Sequence, residues 1–206
     1  MKFIFISLIA ALLAILPAEL SAQNSALLER LYDTFSSSCV VMQCEYSISA
    51  DGLTSRGDCV VEVQGTCYKM QGNGLEILCD GQSVWVLDEM AKEAIVEPVG
   101  NDSFSYMSNP ALLFRDMEKV FTMTGASSVA SGTIYQLSAR KSCGIKNAVL
   151  LINHDAALRY AEFVLDDNSL IKIDVLSEKV LPLKASGHFR PEGLSSDWII
   201  TDLRGF

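Results

Sequence analysis

The sequence predicts a mainly β domain with helices (α+β), in which about 9–11 short antiparallel strands form one sheet curled around apolar contents. Three observations predict it. Apolar and polar residues alternate along several segments, most cleanly in Val40–Ile48. Turn dipeptides such as Asp51-Gly52 and Asp80-Gly81 separate these segments at short intervals. Only two stretches carry helical periodicity, one over Asn24–Phe35 and one opening at Asn109-Pro110. Strands in meander order with one polar face each favour a single antiparallel sheet, and two helices with apolar stripes pack most naturally on its concave side.

The N-terminus is set apart first. Met1-Lys2 precedes Phe3–Leu16, which is apolar except for Ser7, and Leu20-Ser21-Ala22 supplies small residues for cleavage. This run is too short to span a bilayer and has the layout of a secretory signal peptide. Residues 1–22 are therefore expected to be removed near Ala22, leaving 23–206 as a single exported domain.

In the mature region, Leu27, Leu28, Leu31 and Phe35 share one helical face, with Asn24 or Ser25 available as the cap. Val40, Met42, Cys44, Tyr46 and Ile48 then alternate against Gln43, Glu45 and Ser47. Cys59, Val61 and Val63 form the next strand, and Thr66–Met70 returns after Gln64-Gly65. Leu75–Cys79 and Val84–Leu87 flank the Asp80-Gly81 turn as a central hairpin, and Ala94–Val99 follows. At Asn109-Pro110 the pattern changes to a helix start, with Asn as cap and Pro in the first position. Leu113, Met117, Val120 and Phe121 continue the helical spacing as far as Gly125. Strands resume at Thr133–Ala139, Ala148–Ile152, Leu158–Leu165 and Leu170–Leu176, and a last extended region holds Phe189, Trp198, Ile199 and Ile200.

Charge and residue types narrow the function. The 206 residues carry a net charge of −9, which disfavours nucleic acid and anionic membranes, since both recruit basic patches. The six cysteines are either disulfide partners in an exported chain or small buried apolar residues. Their pairing is open, except that Cys39 and Cys44, about 16 Å apart along one strand and on opposite faces, are too far from each other to bridge. No Cys/His spacing suggests zinc, and no cofactor is implied. Cys143 with His154 and Asp155 is the one arrangement that hints at a thiol nucleophile with its base. Cys143 sits in a Lys/Ser/Gly loop, however, and Asn-His-Asp is ordinary turn chemistry, so no enzyme activity is expected.

Several pieces, in order along nearly all of the mature chain, resemble the periplasmic outer-membrane lipoprotein carrier (LolA-like) family, in particular a Bacteroidetes-type branch. They are Leu27-Leu28-Glu29-Arg30-Leu31, Gly57-Asp58-Cys59-Val60-Val61, Asp80-Gly81-Gln82-Ser83-Val84-Trp85, Asn109-Pro110-Ala111-Leu112-Leu113 and Trp198–Arg204. Gln82-Ser83 stand where the family motif has Lys-Thr, and Leu87 where it has an aromatic residue. The resemblance implies an incomplete barrel covered by helices and enclosing an apolar cavity for acyl chains. It also implies a monomeric carrier of triacylated lipoproteins, loaded by an inner-membrane lipoprotein-releasing transporter and unloaded onto an outer-membrane acceptor. The alternative is a periplasmic lipid- or partner-binding envelope module on the same scaffold, without lipoprotein transfer.

On that reading the cavity and lid residues are Val61, Val63, Met70, Trp85, Leu87, Met107, Leu112, Leu113, Phe114, Met117 and Phe121. Trp85 either lines the cavity or is a core tryptophan, and the apolar stripe after Asn109 is either a lid or simple packing. Methionines 42, 70, 107 and 117 suit a cavity that moulds to its contents, and serve equally as gap fillers. Well-studied members carry an Arg just after the Gly-Asp-Leu segment that ties barrel to lid. Val61–Tyr68 contains no Arg here, so the lid must be closed by another polar contact or operate differently.

Overall fold

The computed structural model describes residues 26–100, 106 and 109–205; the expected signal peptide and Met107 lie outside them. Helix α1 covers residues 26–37. The chain then forms β1 (Cys39–Ala50), β2 (Leu53–Gln64), β3 (Cys67–Gly72), β4 (Leu75–Cys79), β5 (Ser83–Asp88) and β6 (Glu93–Pro98) as a continuous meander. Helix α2 (Pro110–Val120) leads into a second meander of β7 (Phe121–Val129), β8 (Gly132–Ala139), β9 (Ile145–Ile152), β10 (Leu158–Leu165) and β11 (Leu170–Leu181). A 3-10 turn, Ser186–Phe189, precedes the last strand, β12 (Ile199–Asp202).

The strands form one 12-stranded sheet in the order β12-β6-β5-β4-β3-β2-β1-β11-β10-β9-β8-β7. Every neighbour pair is antiparallel except β12 with β6. The sheet is curled but not closed, as the sequence predicts, with β12 and β7 at its two edges. The seam between the two meanders is the β1–β11 pair, running from Cys39↔Leu181 to Ser49↔Leu170 with a bulge at Gln43/Cys44.

Local chemistry explains the turns. Asp51-Gly52 and Asn73-Gly74 both have two successive positive φ values, the two-residue geometry that matches strand twist and that Asp, Asn and Gly tolerate. At Asp80-Gly81 the Asp80 carboxylate accepts the N–H groups of Gln82 and Ser83, each at 2.9 Å.

The extent of α2 differs from expectation. The stripe through Leu113, Met117, Val120 and Phe121 predicts a helix to Gly125, but the helix stops at Val120 and Phe121 begins β7. Thr122, Thr124 and Gly125 are weak helix formers, and β8 offers this segment backbone partners from Phe121↔Ala139 to Val129↔Gly132. Tertiary pairing therefore overrides the apolar periodicity. The addition of β7 brings the strand count to twelve.

Two clusters divide the apolar interior. The larger combines Leu31 and Phe35 of α1, Leu112, Leu113, Phe114 and Met117 of α2, and the inward residues of most strands. This is the concave, inner face. The smaller contains Leu78, Leu87 and Ala94, covered by Trp85, Leu194 and Trp198. It lies on the opposite, outer face, under the segment after β11. Strand β5 shows the division plainly: Val84 and Val86 join the inner cluster, Trp85 and Leu87 the outer.

Candidate binding cavity and its lid

At the centre of the inner face is an apolar cavity of about 40 Å³. Met42 and Cys44 of β1, Val61 of β2, Leu150 of β9, Leu158, Ala161 and Phe163 of β10, and Ile173 and Val175 of β11 form its wall. Tyr106 and Leu113 close it from the helical side. No ionised side chain lines it. Burial foremost, and then the neighbouring carboxylate of Asp116, push the Tyr106 hydroxyl above its ordinary pKa, so it stays neutral. Drug-sized ligand sites have volumes of roughly 300–1,000 Å³. This space instead holds about one water-sized group, and the protein's own side chains fill the remainder of the region between sheet and helices.

Of the residues predicted for the site, Val61 and Leu113 line the cavity directly. Val63, Leu112, Phe114, Met117 and Phe121 are buried in the surrounding inner cluster, with Met70 packed against it. Trp85 and Leu87 are displaced from the predicted site. They point to the outer face, against Leu78, Ala94, Leu194 and Trp198. The physical reason is strand parity: successive side chains alternate faces, and the inner set of β5 is Val84 and Val86. The wall residues of β9–β11 were not predicted as site residues, although the alternation of Ile171 and Ile173 with Lys172 in the sequence marks that face.

The lid is assembled by stacking and by one backbone turn. Phe35 of α1 stacks on Phe114 of α2, with ring centroids 6.2 Å apart and 12° between planes. Tyr106 meets Phe121 edge-on at 6.2 Å. The β2–β3 turn then holds both helices. The Gly65 N–H donates to the Phe35 carbonyl at 2.7 Å, and the Gly65 carbonyl accepts the side-chain amide of Asn109 at 3.2 Å. Asn109 is fully buried, and its Oδ1 also accepts the Ala111 N–H at 2.9 Å, capping α2. The predicted cap is thus also the tie between lid and sheet. It is a polar contact between the start of α2 and the β2–β3 turn, in a chain with no Arg between Val61 and Tyr68.

A carboxylate stands at the rim of this face. Glu178 is opposite Met42 in the β1–β11 register, and its Oε2 is buried without a hydrogen-bond partner. Burial pushes its pKa up, and the charge of Arg159 and the Leu158 backbone offset this only in part.

The segment after β11 is secured quite differently on the outer side. Lys184 exchanges two hydrogen bonds with Gln64, at 3.1 and 2.7 Å. His188 lies 2.8 Å from Glu62, and Arg190 forms a 2.7 Å ion pair with Asp80. Burial raises the Asp80 pKa, but the Ser83 and Gln82 N–H groups and the Arg190 guanidinium outweigh it and hold the carboxyl below its ordinary range. Trp198 packs under Lys92, whose Nζ is 5.0 Å from the ring centroid, and β12 then pairs with β6.

The thiol-nucleophile arrangement is not assembled. The buried Cys143 thiol points to the Ile145 carbonyl at 3.6 Å, while His154 contacts the Ala130 carbonyl at 3.3 Å in an exposed turn. Among the described residues, no group of three or more His, Cys, Asp or Glu side chains is placed to hold a metal. No helix among them is long and apolar enough to cross a membrane.

Comparison with solved structures bears on the fold. An uncharacterized conserved protein from Thermus thermophilus superposes with a TM-score of 0.55 at 11% identity, over 88% of this chain and 99% of that one. The two proteins share a fold. A LolA superfamily protein from Nitrosomonas europaea also matches, with a TM-score of 0.46 and 13% identity over 81% of this chain and 97% of that chain. A DUF1329 family protein from Desulfovibrio piger matches at 0.49 and 12%, over 82% and 97%. No protein-family model and no curated protein matches the sequence. The architecture shared with the Thermus protein is an open antiparallel sheet, helices on its concave side, and an apolar space between them.

Proposed function

We propose that this protein is a periplasmic carrier that shelters acyl chains, those of triacylated lipoproteins, between its sheet and its α2 lid. The observation that carries the proposal is the uncharged cavity, closed by a helix whose own apolar side chains occupy the space an acyl chain would need. In this closed form, Leu112, Leu113, Phe114 and Met117 serve as internal stand-ins for the cargo. An incoming chain gains about 0.8 kcal/mol per buried CH₂, and it displaces side chains that lose similar contacts. The exchange is therefore close to balanced, as loading and release both require. An inner-membrane transporter and an outer-membrane acceptor are the partners this reading calls for, and no covalent chemistry is involved.

The test is titration of the purified protein with a fluorescent fatty acid. Saturable binding, competed by unlabelled acyl chains, is expected. An absence of binding to the wild type and to a lid-loosened variant would overturn the proposal.

A second reading, an envelope module that binds lipid or a partner without transfer, has the small closed volume in its favour. Crosslinking in the cell distinguishes the two. Recovery of acylated lipoproteins supports transfer, whereas lipid binding without lipoprotein crosslinks supports the module.

A further inference from the structure

We propose that Cys44 and Cys59 form a reversible modification site, a cross-strand disulfide in the cavity wall made by exchange with a protein or small-molecule disulfide. The two residues are directly opposed in the β1–β2 register. They are the one pair of cysteines so placed among the described strands: Cys39 faces Leu181, Cys67 faces Gln64, and Cys79 faces Tyr68 and Val84. Directly opposed antiparallel residues have Cα atoms about 4.5–5.5 Å apart, inside the span a disulfide bridges. A pair in that register can be bridged without a change of strand pairing. The sequence separates Cys39 from Cys44 along one strand, and only the hairpin register identifies the true partner.

The pair is also asymmetric in a way that suits exchange. Cys44 is buried and lines the cavity, whereas Cys59 is half-buried. On the flank of Cys59 away from Cys44 lies Gly72; a Cβ there would meet the Cys59 Cβ at 3.1 Å. With no side chain on that neighbour, Cys59 is approachable from β3. The hydrogen bond that Cys44 shares with Cys59 favours the Cys59 thiolate, against burial and the nearby Asp58 charge, and the same contact together with burial holds the Cys44 thiol above its ordinary pKa. The half-buried Cys59 sulfur is the one an incoming disulfide can reach, and the buried Cys44 sulfur resolves.

The chemistry balances. The Cys59 thiolate attacks one sulfur of the incoming disulfide, forming a mixed disulfide and expelling the other sulfur as a thiolate. Cys44 then attacks the Cys59 sulfur, which closes the intramolecular bond and releases the second thiolate. The two protons lost by the cysteines end on the two released thiols. Two protein thiols are oxidised and one external disulfide is reduced. Because Cys44 lines the cavity, the new bond would fix β1 to β2 at the base of the binding region.

The experiment is incubation of the reduced full chain with oxidised glutathione, followed by alkylation of the remaining thiols and non-reducing peptide mapping. A linked Cys44–Cys59 peptide is expected, with the thiol count falling from six to four. The variant Cys44→Ser should trap glutathione on Cys59, while Cys59→Ser should leave Cys44 modified on the order of tenfold more slowly. A crosslink joining either residue to another cysteine would overturn the proposal, as would Cys44 and Cys59 remaining alkylatable after the other thiols have been oxidised. Mapping of the wild-type chain decides the matter even if a variant fails to fold. It is independent of whether the cavity binds lipid.

Discussion

The two faces of the sheet are closed by opposite means. On the inner face, α1 and α2 are held mostly by aromatic stacking and dispersion, with two hydrogen bonds to the β2–β3 turn, from the Gly65 N–H to the Phe35 carbonyl and from the Asn109 amide to the Gly65 carbonyl. On the outer face, the segment after β11 is fastened by Lys184–Gln64, His188–Glu62, Arg190–Asp80 and the β12–β6 ladder. Even the carboxylates differ. Asp80 under the outer segment is satisfied and its pKa lowered, while Glu178 at the inner rim has an unpartnered oxygen and a raised pKa. Directional contacts fix position, and apolar contacts can be exchanged for other apolar contacts. The cover built mostly from the second kind is the one suited to move.

Breaking the aromatic contact of the lid should have the largest effect. Phe114→Ala removes the ring stacked on Phe35 and opens space in the inner cluster, at a cost of about 3–5 kcal/mol. Thermal unfolding should show the loss, and a hydrophobic dye should bind the variant more strongly. Next is Asn109→Ala, which deletes the α2 cap and leaves the Gly65 carbonyl without its partner, costing about 2–3 kcal/mol. If the lid is the moving part, this variant should also take up fluorescent fatty acid faster than the wild type. Equal uptake rates would place the moving part elsewhere.

Releasing the outer segment should matter less. Arg190→Ala leaves Asp80 with its two backbone donors and should cost about 1 kcal/mol, since the Arg side chain is largely exposed. Both tryptophans, Trp85 and Trp198, sit in the outer cluster. Intrinsic emission should therefore shift in Arg190→Ala and stay unchanged when an acyl ligand enters the inner cavity. Asp80 also sets a pH dependence. Its folded pKa is lowered, so its contribution is complete above the unfolded value of about 4 and is lost as pH falls through the folded value. Acid unfolding followed by tryptophan emission should begin there in the wild type, and Asp80→Asn should flatten that limb.

The smallest effect has the opposite sign. Glu178 has a raised folded pKa, so its charged form opposes folding at neutral pH, and its share of stability improves as pH falls toward the ordinary value of 4.5. Glu178→Gln should raise the midpoint at pH 7 by a degree or two, with no gain at pH 4.

The sequence revealed these features unevenly, for physical reasons. The alternation in β1 was legible because one of its faces is polar. In β5 the alternation was hidden: Val84, Trp85, Val86 and Leu87 are all apolar because both faces of that strand are covered, so the face taken by Trp85 had no marker. Strand β7 was missed because it is an edge strand of small and polar residues that follows a helical stripe. Asn109-Pro110 announced a helix start correctly. Its second role is a contact with Gly65, 44 positions earlier, and no local pattern encodes that.

The β1–β11 seam has a kinetic consequence. Ser177 donates to Gln43 across 134 positions of chain, at 2.9 Å. The first strand of the sheet is therefore left with one free edge until almost the last strand exists. Contacts this distant in sequence make loop closure costly and folding slow. In any chain synthesised or threaded N-terminus first, the N-terminal meander would remain an open, half-paired ribbon throughout its passage. Only the arrival of β11 would bring the two meanders together beneath the lid.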